Sequence, residues 1–300
     1  LKAHLERLSN SARPARIAEP LSAEEIGDIV REGLSRIEGD GLAKIFLTGG
    51  DVEEFGSFPS PRFLALFSPV APIPEEFFTK GIALSLLHEE RQLFRIKSIN
   101  YMNAYRNHLP GTFEALHCVD GEITESATSS FFGVAKDNLI TAPDHRVLRG
   151  ITREILIDLA RKEGYNVEYR CLTLDELPDL TEAFITGSVK EVTPVTRIGD
   201  TIIGGGAPGA STSRSTSSTV ATLSRSSEPS RTNATTSRAE PPGSGAVIAR
   251  PGCSRSMSGV ASVDPRPLAA IANDTAVSVT RWAMRGSTPA ASSASRTARP

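Results

Sequence analysis

The chain has 300 residues, with 33 Lys and Arg against 35 Asp and Glu and a formal net charge of −2. That length admits two domains and a sizeable core. The three cysteines, Cys118, Cys171 and Cys253, have no metal-site or redox spacing, and no signal-peptide pattern or bilayer-length apolar run is present, so a reducing, cytoplasmic setting without a membrane partner is expected.

The average composition hides two unlike parts. Every Lys lies at or before Lys190, and from Ala207 onward there are 11 Arg against only Glu228, Glu240, Asp264 and Asp274. The segment 207–300 therefore carries a formal +7 and residues 1–206 about −9. It has no Phe or Tyr and long runs of Ser, Thr, Ala, Pro and Gly. Such a sequence buries too little apolar surface to offset chain entropy, so disorder is expected there. Two origins fit this composition. A basic tail could touch an acidic surface. GC-rich DNA read out of frame would also give Arg, Ala, Ser, Pro, Gly and Thr while depleting Lys, Phe and Tyr. The second is preferred, and no nucleic-acid partner is expected.

In chain order, a first helix holds Leu5 and Leu8. The chain opens on Leu1 within a segment that reads as mid-domain, so an N-terminally incomplete small domain is expected. Ser22-Ala23-Glu24-Glu25 is a capping box, with Leu21 and Ile26 placed for a hydrophobic staple. Ile26, Ile29, Val30, Leu34 and Ile37 form one apolar stripe, which predicts an amphipathic helix over 23–37. Residues 44–48 and 62–67 read as strands. The Pro-rich run 68–74 reads as a linker. The expected division is a small N-terminal domain over 1–70, a linker over 71–76, a larger domain over 77–206 and the tail over 207–300.

The larger domain opens with a strand over 82–87. Residues 115–119, an Asp120-Gly121 turn and the strand around Ile123 form a hairpin. Strands over 130–134 and 139–141 pair across Lys136-Asp137-Asn138. A helix runs over 152–162, with Gly164 as its C-terminal cap. Val167, Tyr169 and Cys171 alternate as a strand, 182–186 is another, and 195–198 with 201–203 form a last hairpin around Gly199-Asp200. The class expected is α+β (mixed α/β), in two domains.

Four short motifs carry chemistry. The first is Ile96-Lys97-Ser98-Ile99-Asn100-Tyr101, the second Ile123-Thr124-Glu125, the third Gly150-Ile151-Thr152-Arg153, and the fourth Thr186-Gly187-Ser188 leading into Glu191-Val192-Thr193-Pro194-Val195. A lysine beside apolar neighbours is a candidate amine nucleophile, since desolvation keeps it neutral often enough to attack a carbonyl. A glycine opening a helix offers free N–H groups to an anion. The five histidines share no metal-like spacing, and Gly204-Gly205-Gly206 lacks the Lys-Ser/Thr of a P-loop; no metal site is expected.

Over residues 1–206 the order of these motifs resembles the class IV, or fold-type IV, pyridoxal phosphate aminotransferases: branched-chain aminotransferases, D-amino acid aminotransferases and aminodeoxychorismate lyases. The resemblance implies pyridoxal 5'-phosphate as cofactor, Lys97 as Schiff-base lysine and proton shuttle, and Glu125 at the ring nitrogen. It also implies phosphate binding by Arg7, Ile151, Thr152 and Ser188, and Tyr101 at the phenolate oxygen. Lys44 falls where branched-chain enzymes carry the arginine of Tyr-x-Arg, and lacks its bidentate fork. Ser126-Ala127-Thr128-Ser129-Ser130 stands where the family has Gly-Ser-Ser-Ser-Asn, and Gly49–Gly56 lacks the Arg-x-His of the D-amino acid group. Transamination between an amino acid and a 2-keto acid, in a homodimer, is the function implied. A lyase on the same scaffold and a non-catalytic fragment are the rival readings.

Overall fold

The structure, a computed structural model, describes residues 1–51, 56, 58–136, 138–210, 212, 247–250 and 276–284. Helix α1 (Lys2–Ala12) and helix α2 (Ala23–Ser35) pack on a sheet built on the antiparallel pair β1 (Gly41–Thr48) and β2 (Arg62–Pro69). The expected capping box starts α2: Ser22 Oγ accepts from the Glu25 N–H at 3.2 Å, and the Ser22 N–H donates to Glu25 Oε2 at 2.8 Å. Leu5, Leu8, Ile26, Val30 and Leu34 meet Ala43, Ile45, Leu47, Phe63, Ala65 and Phe67 in one core. Both strands alternate, so their odd-numbered side chains enter this core.

Two segments within the expected tail take strand backbone. Residues Val247–Arg250 pair antiparallel with β2, and Ala276–Met284 pair antiparallel with β1. Both are rich in β-branched residues, and each extends an otherwise open strand edge. The rest of the tail beyond Thr212 lies outside the described residues, as do residues 52–55 of the Gly49–Gly56 stretch and Asp137 of the 136–138 turn.

A short helix α3 (Glu75–Thr79) begins within the Pro-rich connection. The second sheet follows: β3 (Ile82–Leu87), then helix α4 (Met102–Arg106), β4 (Glu114–Val119), β5 (Glu122–Ser126), β6 (Ser130–Ala135), β7 (Asn138–Thr141), helix α5 (Ile151–Lys162), β8 (Asn166–Tyr169), β9 (Leu172–Thr173), β10 (Glu182–Gly187), β11 (Glu191–Ile198) and β12 (Thr201–Ile202). Its order is β8-β7-β6-β10-β11-β3-β4-β5-β9, with β12 on β11. The β3–β4, β3–β11 and β7–β8 pairs are parallel, the others antiparallel. Asp120 (φ 51°) and Gly121 (φ 80°) both adopt the left-handed backbone of a tight hairpin turn.

The middle of the sheet is buried on both faces, which is why residues 131–134 of β6 and 183–185 of β10 carry no polar side chain. Phe131 and Ile185 join Leu84, Leu116, Ile123 and Val195 on one face. On the other, Phe132 and Phe184 stack at 5.1 Å and pack with Leu156 and Ile157 of α5. Several expected boundaries move: β1 begins at Gly41 rather than 44, and others shift by a residue or more. Helix α2 ends at Ser35, β8 ends at Tyr169 before Cys171, and β11 begins at Glu191, so Pro194 lies inside a strand opposite Phe184. Among the described residues no helix is long and apolar enough to cross a membrane.

Candidate active site

A cleft opens where five pieces converge: Arg7 of α1, the segment 91–105, the β5–β6 turn, the N-terminus of α5, and the β10–β11 turn. Lys97 is anchored by its backbone. Its N–H donates to Ser11 Oγ of α1 at 3.1 Å, and the neighbouring Ile96 is buried in the core of the first sheet. The side chain enters the cleft, with Nζ 5.8 Å from the centre of the Tyr101 ring. Burial lowers the pKa of the Lys97 amine to about 7; Arg7, Arg91 and Lys190 push the same way and Glu125 opposes them. An amine so placed is part neutral, hence nucleophilic, at neutral pH.

Glu125 is buried. Its carboxylate is 3.3 Å from Arg91 Nε and accepts from the Leu148 N–H at 3.3 and 3.2 Å. Burial raises its pKa to about 7, against the pull of Arg91, the Leu148 N–H, Lys97 and Arg153. The acid is therefore balanced between its two forms, and a cationic ring nitrogen beside it would favour the carboxylate.

The anion-binding end is built mainly from backbone. Gly150 is extended (φ −74°, ψ 133°), caps α5 without a side-chain bond, and leaves the first N–H groups of the helix facing the cleft. A Cβ at Gly150 would come 2.6 Å from Ser130 Oγ, so a larger residue in this turn would have to displace that hydroxyl. Arg153 is buried and structural: it donates to the Ala142 carbonyl and to Asp144, each at 2.8 Å, and so fixes the start of the helix. Two buried atoms at the cleft, Arg7 Nε and Thr186 Oγ1, have no hydrogen-bond partner in the protein. Unpaired buried polar atoms are costly, so they point to a polar ligand. Arg7 is held down to about 10 by burial, its charge favoured by Tyr101 and opposed by Arg91.

The cleft thus gathers Arg7, Lys97, Tyr101, Glu125, Ile151, Thr152 and Ser188, from segments up to 181 positions apart in the chain. Lys44 is elsewhere. Its neighbours Ala43 and Ile45 fill the first core, so alternation turns Lys44 to the other face of that sheet. Thr186, the first residue of the Thr186-Gly187-Ser188 motif, also lines the cleft, as do Arg91, Tyr105 and Lys190, which the sequence did not single out. Nothing local marks Arg91 or Lys190, because their partners Glu125 and Glu114 are distant in sequence.

A cleft with a desolvated lysine, a buried carboxyl and a helix-start anion site defines a class of protein, the pyridoxal phosphate enzymes. The comparisons place the chain more closely. The family model "Amino-transferase class IV" matches residues 1–198. A D-alanine aminotransferase of Bacillus licheniformis is 33% identical over 220 residues, which is 70% of this chain and 77% of that protein. A branched-chain-amino-acid aminotransferase of Pseudomonas aeruginosa is 29% identical over 227 residues, 70% of this chain and 73% of the relative. Among solved structures, the branched-chain amino acid aminotransferase of Thermobaculum terrenum in its pyridoxal phosphate form superimposes with a TM-score of 0.64 at 26% identity, covering 73% of this chain and 76% of that one. The chain belongs to the class IV aminotransferases, a family of pyridoxal phosphate-dependent enzymes.

Proposed function

We propose that this chain binds pyridoxal 5'-phosphate in the cleft and moves an amino group from an amino acid to a 2-keto acid, with Lys97 as nucleophile and proton carrier. The observation that carries this reading is the pairing, in one cleft, of an amine lowered to about 7 with a buried carboxyl raised to about 7. Bound there, the cofactor supplies an aldehyde for Schiff-base formation with an amine and a ring that accepts the electron pair released at a substrate's α-carbon. Lys97, part neutral and held at the cleft wall, would supply the amine that bonds the cofactor's aldehyde, and the same amine would carry the proton that leaves a substrate's α-carbon. Glu125, oriented by Arg91 and the Leu148 N–H, stabilises a protonated ring nitrogen. The N–H groups that start α5, the hydroxyls of Thr152 and Ser188, and Arg7 bind the phosphate. Tyr101 donates to the phenolate oxygen and borders the Lys97 ammonium.

A two-domain division with its connection at 71–76 goes with this reading, since separate cores lie on the two sheets and Lys97 sits where they meet. A homodimer is supported by the exposed apolar side chains Met102, Tyr105 and Leu109, of which Tyr105 lines the cleft. The test is a donor–acceptor assay. Purified chain loaded with cofactor should convert 2-oxoglutarate to glutamate with an amino-acid donor, and Lys97→Ala should abolish turnover. Pyruvate release without any keto acid would assign a lyase instead.

A further inference from the structure

A second lysine enters the cleft on the wall formed by the β5–β6 and β10–β11 turns. Lys190 has a side chain 16% exposed, and its partner Glu114, at the start of β4, is 10% exposed. Its Nζ donates to Glu114 Oε2 at 2.8 Å, to Ser129 Oγ at 2.9 Å and to Thr128 Oγ1. The same Glu114 oxygen accepts from the Thr128 N–H at 3.1 Å and from Thr128 Oγ1 at 2.8 Å. The ammonium also lies 5.0 Å from the centre of the Phe113 ring. One ion pair therefore ties three strands' ends together across 61 to 76 residues of chain.

What it ties is informative. Thr128 and Ser129 belong to the turn in which the family's Gly-Ser-Ser-Ser-Asn is replaced by Ser126-Ala127-Thr128-Ser129-Ser130, and that turn follows Glu125 directly. Lys190 itself stands two residues after Ser188, on the turn that follows β10, whose Thr186 carries an unpartnered buried hydroxyl. Burial pushes the Glu114 carboxyl up, but the charge of Lys190 and the hydrogen bonds from Lys190, Ser129 and Thr128 outweigh it and hold it below the usual carboxylate range. The pair is therefore ionised, and either partner alone would be a buried charge without compensation.

We propose that Lys190 is a positioning residue, whose bonds to Glu114, Thr128 and Ser129 lock the β5–β6 and β10–β11 turns to each other and so hold Glu125 and Ser188 at the spacing the cofactor requires. The role is indirect: all three ammonium hydrogens have acceptors within the protein, and the residue acts through the turns it joins. It deepens the cofactor reading above and rests on it.

The experiment is a titration of the full chain with pyridoxal phosphate, followed by its visible absorption, in native protein, Lys190→Met, Glu114→Gln and the double variant. Near-UV circular dichroism of the cofactor-free proteins reports on folding independently of activity. Misplacement of a positioned group by about an ångström costs roughly tenfold to a hundredfold, so Lys190→Met is expected to raise the cofactor Kd by about that factor and shift the bound absorption maximum. The double variant should be about as weak as Lys190→Met, and Glu114→Gln should also weaken binding, because each change loosens the same tie between the turns. Should Lys190→Met fail to fold, Lys190→Gln keeps a donor at the site, and a weaker rise in Kd is expected from it. Native affinity in every folded Lys190 variant overturns the proposal. So does a double variant as weak as Lys190→Met while Glu114→Gln is silent, since Lys190 would then be touching the ligand directly. A native chain with no saturable band overturns the cofactor reading and this role together.

Discussion

Lys97 and Glu125 carry opposite strains in the cofactor-free protein, and the two have a joint signature. Lys97 titrates near 7 when folded against an ordinary value of 10.5, so between those values the unfolded chain holds the extra proton and stability rises with pH. Glu125 titrates near 7 when folded against 4.5, so between those values the folded chain holds the extra proton and stability falls as pH rises. Together the pair places a minimum in stability near pH 7. Urea unfolding of the cofactor-free chain at pH 5, 7 and 9 should reveal the dip, and the Lys97→Met, Glu125→Gln double variant should flatten it and stabilise the protein at pH 7 by about 3 kcal/mol, on the scale of one to a few pKa units. Equal stability increments from the double variant at all three pH values would show that neither group is perturbed. Saturating cofactor should remove the dip as well, because it gives both groups a partner.

At the same scale, the sequence located what is local and missed what is paired across the chain. Lys97, Glu125, Thr152 and Ser188 sit inside short motifs, so their types and neighbours point to the chemistry. Arg91 and Lys190 take their meaning from Glu125 and Glu114, contacts made only once the second sheet has formed. The assignment of Lys44 rested on an ungapped alignment to a motif this chain lacks, and strand alternation places that side chain on the sheet face opposite the helix-packed core.

Elements were legible where local chemistry and packing agree. The Ser22 box, the Asp120-Gly121 turn and the glycine-started helix α5 are each specified within a few residues, and each formed where expected. The short helices α3 and α4 have five residues each and too little periodicity to read. The start of β11 was hidden by Pro194, which ordinarily argues against a strand interior. The two strands within the tail pair with β1 and β2 from more than 170 residues away, and no local pattern specifies such pairing. The contact between α2 and β2 gives the test at this scale. A Cβ on Gly33 would lie 2.2 Å from Phe67 Cζ, so the helix can approach the sheet only with glycine there. Gly33→Ala should lower stability by about 1–3 kcal/mol through overpacking, despite the better helix propensity of alanine. A gain in the urea midpoint would mean that the helix can move off the sheet freely.

In the whole molecule, function follows from where the two cores meet. The first holds α1, with Arg7, and the buried Ile96 that precedes Lys97; the second carries Glu125, the start of α5 and the β10–β11 turn. Under the proposed reading, the nucleophile and the phosphate arginine come from one side of the cleft, and the partners of the ring nitrogen and the phosphate turns from the other. The arrangement explains why the backbone bond from Lys97 to Ser11 matters: it fastens the lysine to the helix that carries Arg7, four residues earlier.

The most direct test of this arrangement is chemical trapping. Purified chain would be mixed with pyridoxal phosphate, its visible spectrum recorded, and the mixture reduced with borohydride before peptide mapping, in parallel with Lys97→Ala. A protein-bound band in the native chain, absent from Lys97→Ala, with the reduced cofactor found on Lys97, is the predicted result. A band that survives Lys97→Ala, or cofactor recovered on Lys190 or another lysine in the native chain, would contradict the account.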